Sequence, residues 1–95
     1  MEIRVTIFED NKLVRDALQA ILNGTPGYCC VGVFADGNHW EQDIKRSTPD
    51  VALMDIEMPG YSGIEVTGYI TEKFPDIKIL IQTVFSDSER IFQAL

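Results

Sequence analysis

The feature that most limits the fold of this chain is a regular alternation of short apolar runs with amphipathic stretches. The apolar runs cover residues 3–8, 29–34, 51–54 and 77–81, and each has the length of a strand. Runs that alternate in this way are typical of βαβ units. Strands joined by such units are parallel, and helices cover both faces of their sheet. We therefore predict an α/β fold built from four βα units, (βα)4, around one sheet.

Local signals predict where the intervening helices begin and end. The first helix carries apolar residues at helical spacing, which are Val14, Leu18 and Ile21. Gly24 follows as a C-terminal cap. A weaker helical stretch contains Trp40 and Ile44, and two sequences of the S-x-x-E capping-box type, at residues 62–65 and 86–89, open the remaining helices.

Charge and size restrict the partners and the number of domains. The formal net charge is −7 and the pI is about 4.4, so the chain repels polyanions. We expect no direct binding of nucleic acid and no association with a membrane. The 95 residues leave room for one domain, residues 1–95, and we expect no second domain.

The cysteines and the N-terminus indicate a compartment. Cys29 and Cys30 are adjacent within an apolar run, so a strand would point them to opposite faces. We predict that both are reduced core residues, which is typical of a reducing compartment. Because Met1 runs into the first apolar run without a charged leader or a cleavage site, we expect a cytoplasmic protein.

Acidic and hydroxyl side chains follow three of the predicted strands. Glu9 and Asp10 come after the first run, Asp55 ends the third, and Thr83 comes after the fourth. The carboxyl ends of parallel strands lie at one edge of a sheet, where doubly wound folds bind their ligands. If these strands are neighbours, the three carboxylates and the hydroxyl converge on one shallow site.

Such a cluster requires a cation, because like charges a few ångströms apart repel by about 1 to 4 kcal/mol. Hard oxygen ligands without His or Cys exclude a typical zinc site and suit Mg²⁺, which prefers carboxylates and phosphate oxygens. A carboxylate, Mg²⁺ and a hydroxyl donor are also what phosphoryl transfer to an aspartate requires.

These residues, Glu9-Asp10, Asp55 to Gly60 and Thr83, make the chain resemble the receiver domains of two-component response regulators. The resemblance implies a flavodoxin-like, doubly wound parallel sheet of strand order 2-1-3-4-5. It implies that Asp55 accepts a phosphoryl group from a sensor histidine kinase and that the domain then switches its binding partners. It assigns Mg²⁺ to Glu9, Asp10, Asp55 and the backbone carbonyl of Glu57. It assigns to Thr83 a hydrogen bond to the phosphoryl group and makes Glu57 a candidate modulator of the site. Phe85 is either a second modulator or a core residue.

The chain departs from the family at its C-terminal end. A complete receiver has a fifth strand that supplies a lysine; the chain stops at Leu95, so that lysine has no candidate, and Lys12 cannot take its role. The resemblance thus implies (βα)4 of an expected (βα)5, with strand order 2-1-3-4, in a receiver truncated before the fifth strand. An open sheet edge at residues 77–81 would favour self-association or the exchange of segments between chains. Sedimentation at high protein concentration should then show species larger than a monomer. Residues 83–95 resemble receivers of the LuxR type, which precede a helix-turn-helix output domain.

Three other functions compete with this interpretation. A phosphatase of the haloacid dehalogenase type also uses an aspartate and Mg²⁺, but its motif needs an aspartate where Glu57 stands and Thr or Val where Met58 stands. A flavodoxin-like FMN module needs hydroxyls and glycine amides where Glu9-Asp10 stand. The third alternative is a receiver-like interaction domain that is never phosphorylated, and the sequence does not exclude it. We expect a regulatory domain rather than an enzyme.

Overall fold

The computed structural model describes residues 1–82 and confirms the predicted alternation. The strands are β1 Ile3–Phe8, β2 Tyr28–Phe34, β3 Val51–Asp55 and β4 Lys78–Gln82. The helices are α1 Lys12–Asn23, α2 Trp40–Ser47 and α3 Gly63–Lys73. The helix predicted after residue 86 lies outside the described residues.

The strands form one parallel sheet of order β2-β1-β3-β4. This order is the predicted one and is that of the flavodoxin-like, doubly wound fold. The register of the strands determines which residues lie side by side at the carboxyl edge of the sheet. Phe8 pairs with Met54 and Asp55 pairs with Gln82, so Glu9, which follows Phe8, reaches the level of Asp55 and Gln82.

The buried core lies between the sheet and helices α2 and α3. Phe8 and Met54 of the sheet pack there against apolar residues of the two helices, which are Ile44, Val66 and Ile70. Alternation along β3 explains this, because Ala52 and Met54 point to the same face and both are fully buried. The core therefore holds β1 and β3, the two strands that carry the acidic residues, firmly side by side.

Helix α1 covers the other face less completely. No α1 side chain is buried, and Leu13 and Ile21 are 80% and 63% exposed. Val14 and Leu18 are half-buried, as their helical spacing predicts, whereas Ile21, which shares that spacing, is exposed. Periodicity identified the helix correctly and misjudged the width of its packed face.

Two of the predicted caps, Gly24 and the capping box at residues 62–65, lie within the described residues, and both are observed. Ser62 and Glu65 form a capping box at the start of α3, and Asn11 caps α1 by accepting bonds from the amides of Leu13 and Val14. Gly24 caps the end of α1. The structure therefore confirms the caps predicted at Ser62 and Gly24, whereas the Asn11 cap was not predicted and α2 begins after His39, whose side chain makes no capping bond.

The cysteine prediction was wrong on burial. Cys29 and Cys30 are free thiols, as expected, but both are half-buried because β2 is an edge strand of the described sheet. Among residues 1–82, no helix is long and apolar enough to cross a membrane.

Candidate functional site

Three carboxylates meet at the carboxyl edge of the sheet. Glu9 and Asp10 directly follow β1, and Asp55 is the last residue of the neighbouring strand β3. One carboxylate oxygen from each lies within 4.8 Å of the others. The strand order and the register produce this cluster, because β1 and β3 run in parallel and end at the same level.

Burial makes the cluster electrostatically unusual. Glu9 and Asp55 are only 2% and 6% exposed, whereas Asp10 is open to solvent. Desolvation by burial, together with hydrogen bonds and negative charge from Glu9 and Asp10, raises the pKa of Asp55 to about 7. In the absence of a cation, a proton therefore occupies Asp55 in much of the protein near neutral pH.

The Glu9 carboxylate is held at both oxygens. The backbone amide of Asn11 donates to Oε2 at 3.0 Å, and the side-chain amide of Gln82 donates to Oε1 at 3.3 Å. Arg15 reaches the backbone carbonyls of Glu9 and Asp10. None of these three supporting residues was predicted from the sequence. A signal existed for Gln82, because it is a polar residue that ends an apolar run, just as Asp55 does.

The loop after Asp55 is fixed by glycines and one asparagine. Gly60 has φ +79°, a conformation that glycine adopts without strain, and the Asn38 side chain accepts a bond from the Tyr61 amide at 3.3 Å. The amide of Gly63 donates to the Ile56 carbonyl at 2.8 Å. These contacts determine the course of the segment that contains Glu57.

Some predicted site residues are not part of the observed cluster. Glu57 is exposed, and its carboxylate is not among the three grouped acids. The family resemblance implies that its backbone carbonyl binds Mg²⁺, and that role stays a prediction. Thr83 and Phe85 lie outside the described residues, so their roles also stay predictions.

The donor set fits Mg²⁺. Three carboxylates supply hard oxygen ligands, and the cluster contains neither the His nor the Cys that structural zinc sites use. Two of the three are withdrawn from water and repel each other, so a divalent cation would relieve their repulsion. An aspartate beside such a cation can act as a nucleophile toward phosphorus.

Comparison with known proteins gives the same family. The family model for the response regulator receiver domain matches residues 5–95. The oxygen regulatory protein NreC of Staphylococcus haemolyticus is 38% identical over 94 residues, which is 98% of this chain and 43% of that protein. The chain thus spans less than half the length of the curated relatives that it matches.

Solved structures of response regulators share the fold of this chain and part of its sequence. The response regulator domain of Thermotoga maritima CheB superposes with a TM-score of 0.82 at 31% identity, covering 92% of this chain and 64% of that one. A LuxR-family two-component response regulator from Aurantimonas sp. SI85-9A1 gives 0.81 at 30% identity, with 99% and 67% coverage. A LuxR-family DNA-binding response regulator from Staphylococcus aureus gives 0.79 at 28% identity, with 97% and 77% coverage. The chain therefore belongs to the receiver domains of two-component response regulators, and its resemblance to the LuxR-type group is confirmed.

Proposed function

We propose that this receiver domain takes a phosphoryl group from a sensor histidine kinase onto Asp55, with Mg²⁺, and changes its binding partners as a result. The observation that carries the proposal is the convergence of Glu9, Asp10 and Asp55 within 4.8 Å at the carboxyl edge of the sheet. Membership of the receiver family supports the same roles for these residues.

In the proposed transfer, an oxygen of Asp55 forms a bond to phosphorus while the bond from phosphorus to the kinase histidine nitrogen breaks. Glu9, Asp10, Asp55 and the backbone carbonyl of Glu57 would hold Mg²⁺, and Thr83 would donate a hydrogen bond to the phosphoryl group. Mg²⁺ supplies positive charge that offsets the charge of the phosphoryl oxygens and of the carboxylates. The protein contributes chiefly by positioning these groups.

Ionisation of Asp55 is part of the mechanism. The carboxylate is the nucleophile, yet burial and the neighbouring acids raise the pKa of Asp55 to about 7. Positive charge bound between the three acids favours the ionised form. We therefore infer that cation binding and readiness for phosphoryl transfer are linked at this residue.

The test is phosphorylation with acetyl phosphate, measured as a change in intact mass. With Mg²⁺, we expect the chain to gain the mass of one phosphoryl group, and with EDTA we expect no gain. Asp55→Asn should abolish the gain, whereas Asp76→Asn, a matched change at an exposed aspartate, should preserve it. A gain that survives Asp55→Asn would show that another residue is the acceptor. No gain in the unsubstituted chain would favour the interaction domain that is never phosphorylated.

We also propose a context for the domain. Since the chain spans 43% of NreC and resembles LuxR-family regulators, the longer protein would regulate transcription in the cytoplasm. DNA contacts would lie outside this acidic, regulatory domain, whose net charge is −7. Self-association remains a proposal; Leu80 and Ile81, at the edge of the described sheet, are 59% and 41% exposed.

A further inference from the structure

One arginine contacts the backbone of both residues of the acidic pair. Arg15 lies in α1, and its Nη1 donates to the carbonyl oxygen of Glu9 at 2.8 Å and to that of Asp10 at 3.2 Å. Arg15 is half-buried, so this contact is partly shielded from water. A single guanidinium nitrogen thus joins the two consecutive carbonyls whose side chains belong to the carboxylate cluster.

The rest of this loop is held by the start of the same helix. The Asn11 amide donates to the Glu9 carboxylate, and the Asn11 carbonyl accepts from the Arg15 amide at 2.9 Å. Asn11 also caps α1. Between β1 and α1, the carbonyls of Glu9 and Asp10 are therefore occupied by Arg15, and the loop leaves their carboxylates to face Asp55.

We infer that Arg15 is a positioning residue for the divalent cation site, an inference that rests on the proposed function. Its guanidinium binds the two carbonyls and so fixes the backbone that carries the Glu9 and Asp10 carboxylates. Outer contacts of this kind orient the groups that ligate a metal. Lys12 provides a contrast, since its ammonium group pairs with Asp16 on the exposed side of α1 at 2.6 Å.

The experiment measures Mn²⁺ affinity from the paramagnetic resonance signal of free Mn²⁺. We expect Arg15→Met to weaken Mn²⁺ binding about 10-fold to 100-fold, the usual effect of losing an outer contact of a metal site. Arg15→Lys should recover part of the affinity, because an ammonium group can still donate a hydrogen bond to one of the two carbonyls. Lys12→Met is the matched control: it removes one positive charge from the same helix, and its affinity should stay within about twofold of the unsubstituted protein.

A second readout needs no metal. Hydrogen exchange at the backbone amide of Asn11, which donates to the Glu9 carboxylate, should be faster in Arg15→Met than in Lys12→Met. The reason is that Arg15→Met removes the two hydrogen bonds that hold the loop. Equal Mn²⁺ affinity in these two variants would overturn the inference while leaving the proposed function intact. Failure of the unsubstituted protein to bind Mn²⁺ would instead count against the proposed function, and equal exchange rates would then refute the anchoring role as well.

Discussion

In EDTA, the protein should become less stable as the pH rises from about 5 to about 8, by about 2 to 3 kcal/mol. The reason is the pKa of Asp55, which is raised from its ordinary value of 3.8 to about 7, first by burial and then by Glu9 and Asp10. Between these two pKa values the folded protein holds a proton that the unfolded chain has released. Stability therefore falls through this range and levels off above pH 7. Urea unfolding at several pH values measures the change.

Asp55→Asn should remove most of this pH dependence. An amide keeps the shape of the side chain but carries no charge, so at about pH 8 the metal-free variant should be more stable than the unsubstituted protein by about 2 kcal/mol. Asp43→Asn is the control, because burial also raises the pKa of Asp43 but that residue is not among the three clustered acids. The control should retain most of the slope. A flat profile in the unsubstituted protein, or an equal slope in Asp55→Asn, would contradict the prediction.

Addition of Mg²⁺ should have the opposite pH dependence. A ligand that binds the folded state alone stabilises it by mass action, and at low pH protons compete for the same carboxylates. Mg²⁺ should therefore stabilise the unsubstituted protein more at pH 8 than at pH 5. The proton and the cation relieve the same repulsion among Glu9, Asp10 and Asp55, and this links the stability of the domain to its proposed signalling chemistry.

The order of elements could be predicted from the pattern along the chain, and the acidic cluster from that pattern together with the strand order that the family resemblance implies. A parallel sheet brings strand ends to one edge, so Asp55 at the end of an apolar run and Glu9-Asp10 after another meet if their strands are neighbours, and the family resemblance supplied that strand order. Capping residues such as Ser62 also act locally, within one turn of helix.

The supporting contacts could not be predicted in this way. Arg15 is a long side chain on a half-exposed helix, and its rotamer depends on where the loop before α1 places its carbonyls. The contact between Gln82 and Glu9 joins residues 73 positions apart and depends on the register of three strands. Likewise, the exposure of Ile21 depends on what covers α1, which helical periodicity does not specify.

Gly63→Ala should destabilise the protein by about 3 kcal/mol, because the first residue of α3 lies directly against the backbone of Asp55. A Cβ atom at Gly63 would lie 1.9 Å from the Asp55 carbonyl oxygen and 2.9 Å from the Ile56 Cα. Both neighbours are main-chain atoms, so no side-chain rotation relieves the overlap. Either α3 or the end of β3 has to move, and both elements contribute to the core and to the acidic site.

Gly68→Ala in the same helix is the matched control. Nothing lies within 4 Å of a Cβ atom at Gly68, which is exposed, so alanine should stabilise the helix by about 0.5 to 1 kcal/mol. The two variants make the same chemical change in α3 and should move the urea midpoint in opposite directions. If both were stabilising, the close approach of α3 to Asp55 would be refuted. If Gly63→Ala lost stability as expected, its remaining folded fraction should also bind Mn²⁺ more weakly, because the displaced backbone is the one that carries Asp55.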